Sequence, residues 1–226
     1  MVELHAAAPL AAKVRRSVEG PEVMIVGSAA SLLEGDELRI ELTLAEGARL
    51  TVTSVAAQLA HPCPGGGRTS VHVRADLAPG SQLDWRPEPT VVCAGGRHRA
   101  RVEVVLAEGA EACWLDEVVL GRTGESPTNL RVASEMHVDG PGGPLLRDGL
   151  DTGAPGAHGP AVLGPSVRFV GARHAWGRRA PAGAAGSVVR FELAGEGTMW
   201  RVATADVAAG RAALAGVSGQ GWRRPP

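Results

Sequence analysis

From Glu37 to Leu44 apolar and polar residues alternate without a break: Leu38, Ile40, Leu42 and Leu44 interleave with Glu37, Arg39, Glu41 and Thr43. A period of two marks a strand with one face buried. The strand runs into Leu44-Ala45-Glu46-Gly47. The same Leu-Ala-x-Gly turn returns at Leu77-Ala78-Pro79-Gly80 and at Leu106-Ala107-Glu108-Gly109. The turns lie 33 and then 29 residues apart, the signature of an internal repeat. After each turn the apolar residues hold fixed offsets. Leu50 and Val52 follow Gly47 by three and five residues, as Leu83 and Trp85 follow Gly80 and Ala112 and Trp114 follow Gly109. Fixed offsets mean fixed register, because a slip by one residue would turn the buried set out to water. Gly47, Gly80 and Gly109 are placed to supply the positive φ that a short loop requires. The pattern predicts three stacked hairpins with one shared apolar face, their strands at 36–44, 49–54, 69–77, 82–86, 99–106 and 111–120.

Outside the repeats the pattern is weaker. Pro9 to Arg16 and Val23 to Val26 read as two short strands joined by a turn at Glu19-Gly20-Pro21-Glu22. Residues 130–147 read as a looser fourth hairpin. Val167 to Val170, Ser187 to Leu193 and Thr198 to Thr204 read as strands, and 171–187 as loop. Ala205 to Val217 is the best helix candidate, with Asp206 as its cap and Gly210 and Gly216 weakening it. The expected fold is mainly β: stacked hairpins followed by a short C-terminal helix. It is expected to form one domain over 1–226, loop-rich at 148–187 and ending in a helix and tail at 205–226.

Composition narrows the function classes. The chain is 44% hydrophobic and 21% charged, enough for a sizeable core. A net charge of −1 lacks the basic field of a nucleic-acid binder, so no nucleic acid is expected as partner. No run approaches the ~20 apolar residues of a membrane span, and the N-terminus lacks a signal pattern. Three cysteines far apart, with no Cys-x-x-Cys, fit a reducing compartment. A cytoplasmic protein is expected.

Candidate chemistry is sparse. His61, Cys63, Cys93, His98 and Cys113 match no zinc spacing. The plain reading places Cys93 and Cys113 in the core and leaves His61 and His98 solvated. The sharper one is a transient site for a soft or borderline metal at His61 and Cys63. Pro64-Gly65-Gly66-Gly67 lacks the Gly-Lys-Ser/Thr of a phosphate cradle. Asp84, Glu88, Asp116 and Glu117 read as a solvated strand rim, with a paired acid/base role as the alternative. Arg97, His98, Arg99 and Arg101 read either as a solvated strand edge or as an edge that docks a protein.

Several segments together resemble the urease accessory protein D family. They are Leu33-Glu34-Gly35-Asp36, Ala48 to Thr53, Leu83-Asp84-Trp85-Arg86-Pro87-Glu88-Pro89-Thr90, Leu120-Gly121-Arg122 with Gly124-Glu125, and Pro144-Leu145-Leu146-Arg147. Their order and rough spacing match over about 9–204. The family's polar Thr-Thr-Gln segment is replaced here by Thr53 to Pro62. The resemblance implies a mainly β fold, stacked hairpins forming a β-helix-like solenoid with one or two short C-terminal helices, and a scaffold without catalysis of its own. Such a scaffold binds apo-urease and recruits accessory proteins F and G for GTP-dependent nickel insertion, with Ni2+ a transient passenger and no permanently bound cofactor. Candidate partner contacts are Arg97, Arg99, Arg101, Arg122, Glu125 and Trp222. The weakly patterned stretch 148–222, read as poor in core residues and loose until bound, is the first expected docking surface. A cupin-like metalloenzyme on a similar strand stack, or a structural repeat domain with another partner, are the competing classes. The seven histidines are scattered along the chain, against a clustered cupin site.

Overall fold

The computed structural model describes residues 3–17, 20–29, 32–127, 129–154, 163–177, 187–193 and 195–218. Its strands are β1 (Leu10–Ser17), β2 (Gly20–Gly27), β3 (Glu37–Leu44), β4 (Arg49–Ser54), β5 (Gln58–Ala60), β6 (Thr69–Leu77), β7 (Gln82–Arg86) and β8 (Thr90–Val92). They continue with β9 (Arg97–Leu106), β10 (Glu111–Leu120), β11 (Arg131–Gly140), β12 (Gly143–Asp151), β13 (Phe169–Trp176), β14 (Val189–Glu192) and β15 (Gly197–Thr204), and one helix follows, α1 (Val207–Ser218). The result is a β-solenoid of about four turns.

The strands form two sheets. One has ten strands, in the order β1-β2-β4-β7-β10-β13-β15-β14, with β5 and β8 alongside; the other has five, in the order β12-β11-β9-β6-β3. The repeat units are therefore arches, not the expected hairpins. The two strands flanking each Leu-Ala-x-Gly turn lie in different sheets, and each pairs in parallel with its counterpart in the next copy. Leu44, Leu77 and Leu106 align across β3, β6 and β9. Val52, Trp85 and Trp114 align across β4, β7 and β10. The reason lies in the turns, whose amides bond to the neighbouring copy. Gly47 N–H donates to the Pro79 carbonyl at 3.0 Å and Gly80 N–H to the Glu108 carbonyl at 3.1 Å. The three glycines take φ of 63°, 65° and 66°.

Between the sheets, Leu83, Val104, Ala112, Trp114 and Trp176 are almost fully enclosed. Trp85 and Trp114 stack at 4.7 Å between centroids, one rung above the other. A residue repeated in register thus packs on its own counterpart, which is how a solenoid gains from its repeats.

The late segment corrects two expectations. Residues 171–176, read as loop, belong to β13, an interior strand between β10 and β15. The stretch read as poor in core residues contributes Phe169, Trp176, Trp200, Val202 and Leu214 to the buried set. Gly171, in the stretch read as loop, and Gly210, in the helix itself, are small because α1 packs closely on β13. A Cβ on Gly171 would lie 2.6 Å from a Leu214 methyl, and one on Gly210 would lie 2.4 Å from the Phe169 ring. Asp206 caps the helix by accepting the Ala209 N–H at 3.0 Å.

Candidate functional site

Alternation along β9 turns His98, Ala100, Val102 and Val104 towards the space between the sheets. His98 is buried, not solvated as expected, and its Nδ1 lies 2.8 Å from Thr69 Oγ1. Burial lowers its pKa to about 4, so the imidazole is neutral near pH 7. His98 borders an inter-sheet cavity of about 290 Å³ whose wall includes Ile25, Ile40, Val71, Trp85, Trp114 and Asp116.

The acidic residues read as a solvated rim also divide differently. Asp116 keeps part of its surface open to the cavity, yet enough protein surrounds it that burial pushes its pKa up to about 6, against the pull of Arg201. Arg201, from the ten-stranded sheet, pairs with Asp148 of the five-stranded sheet and so ties the two together. Nearby His174 stacks on Trp176 at 5.1 Å and is held neutral by burial, at about 3. Glu117 faces the other way, under α1. Its buried carboxylate accepts from Arg211 Nε at 3.2 Å, while Arg211 also reaches the exposed Glu88 at 2.9 Å. Burial holds the Glu117 carboxyl above its ordinary value. Arg201 with Asp148 thus joins the two sheets, and Arg211 with Glu117 fastens α1 to β10.

The proposed partner contacts fall on two surfaces. Arg97, Arg99 and Arg101 do not line an edge, because β9 is flanked by β6 and β11. They stand on the outer face of the five-stranded sheet, amid opposite charges. Arg99 meets Glu135 at 3.0 Å, and Arg101 Nε meets Glu103 at 2.8 Å. His72 approaches the same Glu103 at 3.3 Å.

Arg122 and Glu125 sit together in the loop after β10. The Glu125 carboxylate accepts the N–H groups of Ala94 and Arg122 at 2.8 Å each, and the Arg122 guanidinium at 2.6 Å. Those three donors pull its pKa down to about 2. Arg168 closes the loop from below with bonds to the carbonyls of Gly121 and Arg122. Trp222 lies outside the described residues.

His61 and Cys63 stand at the Pro/Gly-rich loop after β5. The Cys63 thiol is buried and points at the carbonyls of His61 and Arg97, at 3.7 and 3.8 Å. Among the described residues no group of three or more His, Cys, Asp or Glu side chains could hold a metal ion. No described helix is long and apolar enough to cross a membrane.

A solenoid of parallel arches with charged outer rows and a packed interior defines a structural class of protein, and the comparisons give its kind. A family model described as UreD urease accessory protein matches residues 1–224. Urease accessory protein UreD of Parafrankia sp. (strain EAN1pec) is 36% identical, over 88% of this chain and 75% of its own length. Urease accessory protein UreD 1 of Streptomyces griseus is 36% identical, over 89% of this chain and 76% of its own. That of Frankia casuarinae is 42% identical, over 66% of this chain and half of its own length. The chain belongs to the UreD urease accessory protein family.

Proposed function

We propose that this protein is a cytoplasmic scaffold for urease maturation that binds apo-urease and recruits accessory proteins F and G, without turning over a substrate. The observation that carries the reading is the family match along residues 1–224, since the relatives it resembles are named as accessory proteins. The architecture supports it. Parallel rungs in register make a stiff body with extended faces, a shape suited to holding large partners. In this reading accessory protein G supplies nickel in a GTP-dependent step. The ion is cargo passing through or beside the protein, and His61 and Cys63 are at most a transient contact.

The test is coexpression of the full chain with urease subunits and accessory proteins F and G, followed by affinity capture and a urease assay in nickel-supplied cells. Retention of the partners, with loss of urease activity when this chain is omitted, is the expected result. Recovery of the chain alone, with urease activated normally in its absence, would overturn the reading.

A further inference from the structure

The two sheets do not end together. Each repeat places one strand in each sheet, so β3 faces β4, β6 faces β7 and β9 faces β10. Beyond β4 the ten-stranded sheet continues with β2 and β1, while the five-stranded sheet stops at β3. The overhang is two strands wide, about 10 Å at the usual ~4.8 Å spacing. Its inner face carries Val23 and Ile25 of β2, paired with Val14 and Ala12 of β1. Val14 is 48% exposed. Ile40 and Leu42 of β3 are only half-buried, and the inter-sheet cavity reaches Leu10, Ile25 and Ile40 at this end.

Among the described residues the outer edge of β3 is unpaired, and only β6 is in register with the strand. The carbonyls of Asp36 and Leu44 accept from β6 and the segment after it, so the even-numbered residues face β6. The N–H and C=O groups of Glu37, Arg39, Glu41 and Thr43 therefore point to the open side. An eight-residue edge of this kind is a template for strand addition.

The geometry points to a docking site for one extended strand from a partner protein, seated along β3 beneath the β1–β2 overhang. A second copy does not fit. Closed two-fold pairing of β3 with its own copy is antiparallel, about an axis normal to the sheet. That axis would carry both overhangs, each about 10 Å long, into the same layer. The occupant's chemistry follows from the rows on the outer face. Glu37, Arg39 and Glu41 stand in succession there, all exposed. The neighbouring strand is thus basic, acidic and basic at alternate positions, with β-branched apolar residues between them pointing under the overhang. This pattern reads the same in both directions, so it does not depend on strand polarity. The inference does not require that the partner be urease or its accessory proteins.

The test uses the full chain and a fluorescein-labelled capped peptide, Thr-Lys-Val-Glu-Val-Lys-Val-Thr, followed by fluorescence anisotropy. Saturable binding is expected. Arg39→Pro removes one open N–H at a position where an edge strand tolerates proline, and should weaken binding at least tenfold with the circular dichroism spectrum unchanged. Arg39→Glu provides a readout that a folding defect cannot mimic: preference should shift to the peptide with Lys in place of its Glu. Several results would overturn the proposal. These are absence of saturable binding, equal binding by a folded Arg39→Pro variant, or no change of preference in Arg39→Glu. Slow hydrogen exchange at Glu37, Arg39 and Glu41 in the chain alone would show the edge already covered by its own chain. A dimer abolished by Arg39→Pro would assign the edge to a second copy.

Discussion

The repeat region and the late segment bury similar residues by different means. Between Glu37 and Leu120, each inward side chain rests on its counterpart one rung away, so Trp85 lies on Trp114 and Leu77 between Leu44 and Leu106. Among the described residues between Phe169 and Ser218 nothing repeats. There α1 is fastened by single fittings, to β13 through Phe169 against Gly210 and Leu214 against Gly171, and to β10 through Arg211 against Glu117. Repetition makes a region legible and redundant, whereas single fittings make it specific. The largest expected effect probes the interior that the rungs share. Trp114→Ala removes an indole from the middle of the packed interior, and such truncations cost about 3–5 kcal/mol. Urea denaturation followed by tryptophan fluorescence and circular dichroism should show that loss. A cost under about 1 kcal/mol would mean that the rungs do not share one core.

Glycine substitutions sharpen the contrast at smaller amplitude. In an exposed helix interior, Gly→Ala stabilises by up to ~1 kcal/mol. At Gly210 the sign should reverse, because the added methyl meets the Phe169 ring and overpacking costs about 1–3 kcal/mol. At Gly80 nothing lies within 4 Å of a built Cβ. Gly80→Ala should still cost about 1–2 kcal/mol, since the left-handed backbone penalises any side chain. One variant tests contact and the other tests backbone alone. Thermal melts of both, with Gly216→Ala as a helix control facing open space, separate the two causes.

The same contrast explains what could be read from the sequence. Strand positions in the repeats match the structure within two residues, because alternation and turn glycines are local signals. Arches could not be told from hairpins, because alternation says which residues turn inward but not which strand lies beside them. Both arrangements bury Leu38, Leu50 and Val52 equally well. The inward position of His98 was legible in the same alternation as Val102 and Val104, but a histidine beside arginines suggested solvent instead. Gly171 and Gly210 looked like breakers because each is explained by a residue of another element. The Asp116, Asp148 and Arg201 grouping draws on three strands of two sheets, and no local pattern joins them.

The smallest predicted effect concerns two carboxyls of opposite behaviour. In the exposed loop after β10, Glu125 is held at about 2 by the Arg122 guanidinium and two backbone N–H groups, against an ordinary 4.5. The unfolded chain therefore binds the proton more readily, so this contribution is complete above about pH 4.5 and disappears as pH falls towards 2. Inside, Asp116 is raised from 3.8 to about 6 by burial. Here the folded chain binds the proton more readily, and stability declines as pH rises from about 4 to 6. Glu125→Gln should therefore melt slightly below the unmodified protein at pH 7, with the gap closing on acidification. Asp116→Asn should melt above it at pH 7, also with the gap closing on acidification. Melting temperatures measured from pH 3 to 8 in one buffer series distinguish the two. Gaps of the same sign would show that Asp116 is held charged by Arg201, and that the interior pair with Asp148 is a three-membered network instead.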